Sequence, residues 1–163
     1  MYIQAMTRTL KPNIHRLSSL LEHSRVLILY MAWVVAIVAF LGSITSSEIL
    51  KLTPCKLCWI QRICMFPLVF ILGVGIVYRD EKVPFYVLPL SLMGMAISFY
   101  HVLLYRGLVP ESKALCEAGI SCTTKYIEFF GFLSIPALSF LAFLIISGLM
   151  FYYHSLRHSH QTE

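Results

Sequence analysis

The sequence predicts an all-α integral membrane protein built as a four-transmembrane-helix bundle. Three observations predict it. Of the 163 residues, 58% are hydrophobic and only 13% charged, with a mean hydropathy of +0.77, whereas an average soluble domain is about 45–50% apolar and about 25% charged. The apolar residues gather in four windows, each able to supply the roughly 20 residues a helix needs to cross a bilayer. The windows are also continuous, whereas the strands of a membrane barrel alternate over about ten residues. Lipid offers no water to exposed backbone, so continuous apolar spans are helices. A soluble monomer of this size has too little interior to hide so much apolar surface. Disorder requires low hydrophobicity and high charge. The net charge of +5 is spread over termini and loops and forms no basic stripe of the kind that binds nucleic acid.

The elements follow in order. Residues 1–25 form a basic segment with Arg8, Lys11, Arg16 and Arg25. Ile14, Leu17, Leu20 and Leu21 recur in it at helical spacing, which suits a helix lying on the membrane surface; a loosely ordered tail is the equal alternative. The membrane domain covers residues 26–153. Its first span, 26–46, meets no charge before Glu48. That span is too long for the apolar region of a secretory signal, and no A-x-A pattern follows, so no removable signal peptide is expected. The second span, 59–78, has Arg62 in its first turn. The third, 83–105, has His101 as its one ionisable side chain besides tyrosines. The fourth, 129–153, is uncharged, and a tail of residues 154–163 follows. Pro67, Pro89 and Pro136 fall inside these spans, where proline is tolerated and kinks the helix. Gly73, Gly75 and Gly94 are small enough for close helix approach.

Four spans return both termini to one side. That side carries Arg8, Lys11, Arg16, Arg25, Arg79, Lys82 and Arg157. The other carries Lys51, Lys56, Arg106, Lys113 and Lys125, with Arg62 at the helix mouth. This slight positive-inside bias favours cytoplasmic termini.

The five cysteines sharpen the picture. Cys55 and Cys58 form a C-x-x-C at the start of the second span, and Cys116 and Cys122 lie in the loop between spans three and four. All four are on the face opposite the termini. Cysteines gathered on an outer face point to disulfide chemistry, because that compartment is oxidising. Cys64 lies well inside span two and reads as packing. Two other readings of the four loop cysteines stand beside redox chemistry. They form structural staples, or they bind zinc as four thiolates, although the C-x5-C of the second pair exceeds the usual zinc spacing.

The surroundings of Cys58 favour reactivity over stapling. Pro54 marks a loop-to-helix junction, which puts Cys58 near a helix N-terminus, where partial positive charge favours a thiolate. Arg62 follows one turn later on the same face. Both lower a cysteine pKa and improve the sulfur as nucleophile and leaving group. Arg62 read by itself is equally an interfacial anchor. His101, Trp59, Tyr100 and Tyr105 fall at the same depth. The simplest reading of the histidine is an interfacial residue, and of the aromatics a membrane belt; together they also suit the walls around a flat ring ligand.

Pro54-Cys55-Lys56-Leu57-Cys58-Trp59-Ile60-Gln61-Arg62, followed by Met65-Phe66-Pro67-Leu68, resembles the disulfide bond formation protein B (DsbB) family, and most of all its short branch often called BdbC. Tyr100-His101, the segment from Cys116 to Cys122, Gly131-Phe132 and Ile135-Pro136 continue the resemblance in order over residues 25–145. Each motif is weak by itself, and the ordered set is specific. The chain departs from the family at Tyr105, where a glutamine is usual, and in its longer basic N-terminal segment.

The resemblance implies a multi-pass thiol:quinone oxidoreductase of the bacterial cytoplasmic (inner) membrane, with its two redox-active loops extracytoplasmic. Such a protein reoxidises a DsbA- or BdbD-like thioredoxin-fold oxidase and passes the electrons to membrane quinone, either ubiquinone or menaquinone. By the same resemblance, Cys116 forms the mixed disulfide with the partner, and Cys122 is its loop mate and bridges to Cys55 in an intermediate. Cys58 is the sulfur nearest the quinone, and Arg62, Cys58 and His101 hold the ring. The alternatives are a non-catalytic scaffold with structural disulfides, a metal-binding or transport protein that the lack of intramembrane carboxylates disfavours, and an oxidase of the vitamin K epoxide reductase type. That last type carries its C-x-x-C in the final helix.

Overall fold

Four helices form over the apolar windows: α1 (Tyr2–Glu48), α2 (Lys56–Tyr78), α3 (Val83–Tyr105) and α4 (Ile135–Gln161), with a short strand pair, β1 (Glu128–Phe129) and β2 (Leu133–Ser134), ahead of α4. The computed structural model describes the backbone of residues 2–49, 51, 55–109, 128–129 and 133–161, and the side chains of residues 23–49, 51, 55–109 and 134–156. Segments His23–Glu48, Lys56–Tyr78, Val83–Tyr105 and Ile135–Leu156 are each long and apolar enough to span a membrane.

Three helix starts differ from those the hydropathy predicts, and α4 runs on to Gln161 through the residues expected as a tail. α1 runs unbroken from the basic segment into the first span, so that segment is helical; the side chains of residues 1–22 lie outside the described residues. α2 starts at Lys56 rather than at 59, because Cys55 is already an extended N-cap (φ −70°, ψ 169°). α4 starts at Ile135 rather than at 129, because the chain first pairs antiparallel, Glu128 opposite Ser134 and Phe129 opposite Leu133. Pro136 is therefore the second residue of α4 and not an interior break. Its missing N–H is one that a first turn leaves unbonded anyway. Pro67 and Pro89 do lie inside α2 and α3.

Each helix packs on its neighbours in sequence, and α4 closes the ring on α1. The interior is apolar, with Ala32, Leu68, Leu72, Val87, Phe143 and Ile146 buried. The outside is apolar too, with Val38, Phe70, Val77, Phe85, Met93 and Phe151 exposed. Lipid tails are as oily as leucine, so burial of apolar area cannot hold such helices together; close packing and interhelical hydrogen bonds do.

Both devices are present. A Cβ on Gly94 would stand 2.3 Å from the Phe143 ring, so α3 and α4 touch through the missing side chain. A Cβ on Gly73 would stand 3.2 Å from Trp33 Nε1, and in that space the indole donates to the Val69 carbonyl at 3.0 Å. Ser147 of α4 donates to Ser91 of α3 at 3.0 Å in the buried interior.

The end of the bundle that holds the termini is tied by Arg25 Nη2, which donates to the Leu156 carbonyl at 3.1 Å. The tight α2–α3 turn lies at that same end. Arg79 takes the left-handed conformation there (φ 49°), and the Asp80 N–H donates to the Gly75 carbonyl at 3.1 Å. The opposite end carries the start of α2 and the end of α3, and the cysteine pair with them.

Candidate active site

The site assembles where α2 begins and α3 ends. Cys55 closes the loop in extended conformation and Cys58 lies in the first turn of α2. Their sulfurs are 3.4 Å apart, a hydrogen-bonded pair of free thiols. His101 reaches them from α3, with Nε2 3.7 Å from Cys55 Sγ. Its other ring nitrogen, Nδ1, lies 3.2 Å from the Gln61 side-chain nitrogen. Cys55, Gln61 and His101 are only 7%, 6% and 2% exposed. Leu57 and Leu104 seal the cluster, and Cys58, Ile97, Tyr100 and Val109 pack around it half-buried.

This geometry decides which sulfur carries charge. The Cys55 thiol is held well below its ordinary value, first by the hydrogen bond from the Cys58 thiol. Burial opposes that shift, and His101 and the Cys58 backbone amide reinforce it. The amide of Gln61 sets the tautomer of the ring: as it donates to Nδ1, the ring proton sits on Nε2 and faces the Cys55 sulfur. Position at the helix start and the sequence neighbourhood of Arg62 single out Cys58 for activation; the structure aims its donors at Cys55.

Arg62 turns toward α1. Its Nη2 donates to the Ser43 carbonyl at 2.8 Å and to Ser47 Oγ, and its guanidinium lies 5.6 Å from the centroid of the Trp59 ring. A cation over an indole face is attracted by the ring quadrupole, and a cation near the last turns of α1 meets the negative end of that helix. Arg62 thus clamps α1 to the turn of α2 that bears the cysteines. Replacing Arg62 by alanine is expected to loosen that clamp and cost about 1–3 kcal/mol, the scale for stranding a partner of a charged hydrogen bond. Lysine is expected to restore little of this, because an ammonium lacks the planar fork. Unfolding of the three proteins in mixed detergent micelles measures the difference.

Cys55, Cys58 and His101, all singled out in the sequence, are brought together. His101 is a buried partner of Cys55 and not an interfacial residue. Cys64 packs in the main core. Trp59 is 55% exposed, on the lipid side of α2. Cys116, Cys122 and Pro54 lie outside the described residues. Gln61 was not anticipated, although its spacing carries a signal: three residues after Cys58, it shares that residue's helix face.

Comparison with known proteins identifies the chain. The model of the family described as Disulfide bond formation protein DsbB matches residues 24–153, a stretch that includes all five cysteines. The chain belongs to the DsbB family. Among curated relatives of this DsbB-family chain, Disulfide bond formation protein C of Bacillus subtilis (strain 168) is 46% identical over 125 residues, which are 76% of this chain and 89% of the relative. Probable disulfide formation protein C 2 of Bacillus cereus (strain ATCC 10987 / NRS 248) is 44% identical over 121 residues, 74% of this chain and 86% of the relative. Probable disulfide formation protein of Metapseudomonas resinovorans is 40% identical over 124 residues, 76% and 86% of the two chains. No solved structure matches. The DsbB-family chain is thus a multi-pass membrane oxidoreductase of disulfide bond formation, all-helical in its membrane part.

Proposed function

We propose that the protein is a thiol:quinone oxidoreductase of the bacterial cytoplasmic membrane. It reoxidises an extracytoplasmic thioredoxin-fold oxidase of DsbA or BdbD type and passes two electrons to membrane quinone, ubiquinone or menaquinone. The observation that carries this reading is the placement of the reduced Cys55–Cys58 pair, buried against His101 yet one residue from a lipid-exposed Trp59. A dithiol in that position is within reach of an oxidant dissolved in the bilayer.

The thiol chemistry balances in two exchanges. The partner's dithiol attacks a Cys116–Cys122 disulfide through Cys116, becomes a disulfide and leaves the loop pair reduced. The loop dithiol then reduces a Cys55–Cys58 disulfide, with Cys55 bridging transiently to Cys122, and yields the reduced pair seen in the structure. Exchange runs through thiolates. Cys122 attacks Cys55 and Cys58 leaves; Cys116 then attacks Cys122 and Cys55 leaves, a step favoured because the Cys58 thiol and His101 hold Cys55 as the thiolate.

The residues present suit a quinone. Trp59 offers a flat lipid-facing surface, Arg62 adds a cation beside it, and the adjoining residue Cys58 is only half-buried. Cys58 and Arg62 are the residues that would hold the ring; His101, which the sequence also suggests for this role, is buried with both ring nitrogens engaged by Cys55 and Gln61 and would act through the Cys55 sulfur. A bound quinone supplies the oxidising potential that cysteines lack. The protein supplies position, a protonated Nε2 against the Cys55 sulfur, and apolar surroundings, Leu57 and Leu104, that bury Cys55.

The test uses the full chain in lipid vesicles with a reduced thioredoxin-fold oxidase. Oxidation of the partner is expected with quinone in the bilayer and not without it. A mixed disulfide trapped through Cys116 would identify the partner. Should the cysteines stay oxidised with or without quinone, as a maleimide gel shift would show, the protein is a disulfide-stapled scaffold.

A further inference from the structure

We propose that the reduced Cys55–Cys58 pair and His101 form a binding site for a thiophilic d10 cation, Zn2+, held by the two sulfurs and the histidine Nε2. This is distinct from a four-thiolate site, since it draws nothing from the loop of Cys116 and Cys122. Binding itself is independent of the reaction proposed above; only its consequence, inhibition, rests on that reading.

The donor atoms already stand close to where zinc needs them. All three lie within 4.8 Å of one another, the two sulfurs at 3.4 Å and Cys55 Sγ to Nε2 at 3.7 Å. Zinc bonds of about 2.3 Å to sulfur and about 2.0–2.1 Å to nitrogen, set at the tetrahedral angle, put sulfurs about 3.8 Å apart and sulfur and nitrogen about 3.6 Å apart. The first two separations are within a few tenths of an ångström of these values, and the third, Cys58 Sγ to His101 Nε2, closes by at most about 1.2 Å from the 4.8 Å limit.

The set is also chemically apt. Two thiolates and one imidazole, with a fourth position open to water, is a known zinc coordination pattern. A metal-bound histidine almost always has its second ring nitrogen held by a polar neighbour, and Gln61 is already on Nδ1. Turning the Gln61 amide over puts its oxygen on Nδ1–H and frees the Nε2 lone pair for the metal. Leu57 and Leu104 exclude water from the back of the cluster, which strengthens the attraction between a cation and two thiolates.

No electrons move on binding. Each thiol that is still protonated gives its proton to solvent, and zinc takes the sulfur lone pairs. The disulfide form has no thiolates and offers no such site. A bound zinc therefore holds the pair in its reduced state and blocks its return to the disulfide.

The test is a metal titration of the reduced full chain in detergent, with neither quinone nor partner present, so its failure and the failure of the oxidase reading are separate results. Co2+ is the optical probe. The expected result is one Co2+ per chain, with the strong visible absorption of tetrahedral coordination and a thiolate-to-cobalt band, both erased when Zn2+ displaces the cobalt. Oxidising the pair is expected to abolish binding, as are Cys55→Ser and His101→Ala. The Cys116→Ser/Cys122→Ser variant is expected to bind unchanged. Gln61→Leu is expected to bind about 10–100-fold more weakly, the usual effect of removing the group that holds a metal-bound histidine. Helicity measured on each variant separates a lost site from a lost fold, and Cys58→Ser provides a second thiolate deletion if Cys55→Ser does not fold. The proposal is overturned if the reduced protein takes up no metal, if binding survives in folded Cys55→Ser and His101→Ala, or if it disappears in the loop double variant.

Discussion

Replacing Cys58 by serine is expected to abolish quinone-dependent oxidation of the partner while leaving the bundle folded. Cys58 Sγ is 3.4 Å from Cys55 Sγ and sits in the first turn of α2, one residue before Trp59. A hydroxyl is close in size, so the half-buried packing of this side chain against the Cys55, Leu57 and Leu104 cluster is largely kept. A hydroxyl cannot form the disulfide, however, and no described sulfur can replace it: Cys64 is buried in the core of the bundle. Cys116→Ala is expected to abolish turnover with the partner protein for a different reason, because it removes the sulfur proposed to meet the partner. The two losses are separable. Reduction of the Cys55–Cys58 pair by a small dithiol bypasses Cys116 but not Cys58. Full turnover by either variant in a stopped assay of partner oxidation would sink the proposed route.

Replacing His101 by phenylalanine is the second large effect. The ring volume stays, but both nitrogens go. The Cys55 sulfur loses the donor 3.7 Å away and the Gln61 amide is left without its partner at 3.2 Å. An unsatisfied buried amide costs about 1–3 kcal/mol, and loss of a positioned proton donor or acceptor costs about 10²–10⁴-fold in rate.

The accompanying pH signature has a definite sign. The folded value of Cys55 lies below the ordinary 9.0. Its ionisation therefore adds stability that is fully present above the ordinary value and is lost as pH falls through the depressed one. The reduced wild-type protein should gain stability as pH rises across that interval. In His101→Phe the folded value moves back toward 9.0, and the gain shrinks. The pH profile of alkylation at Cys55, read by mass spectrometry, should shift upward in the variant. An unchanged profile would show that His101 does not act on the sulfur.

Particular residues show what could be read from the chain and what could not. The apolar windows lead directly to four helices, because hydropathy over a span is a local property. The C-x-x-C announces a redox pair for the same reason. The start of α4 escaped because Glu128–Phe129 and Leu133–Ser134 choose each other as partners, and pairing across a turn leaves no trace in hydropathy. The role of His101 escaped because it lies 46 residues from Cys55. Only the packing of α3 on α2 brings the two into register, and that packing depends on where small residues permit contact. Arg62 shows the converse. Its neighbours along α2 point to Cys58, yet its hydrogen bonds go to Ser43 and Ser47 on a different helix.

One detail of the backbone gives the two cysteines unequal freedom. Cys58 is fixed to a hydrogen-bonded helix, whereas Cys55 is its extended cap, its backbone tied to the helix through the carbonyl that accepts the Trp59 N–H at 3.2 Å. Rotation about the Cα–Cβ bond of Cys55 swings its sulfur while leaving that carbonyl in place. The pair therefore behaves as a swinging arm beside a fixed post. When the arm is home it touches His101 and carries charge. When it swings out toward another sulfur it leaves the histidine behind and regains the reactivity of an ordinary thiol. The post meanwhile keeps its place at the lipid edge.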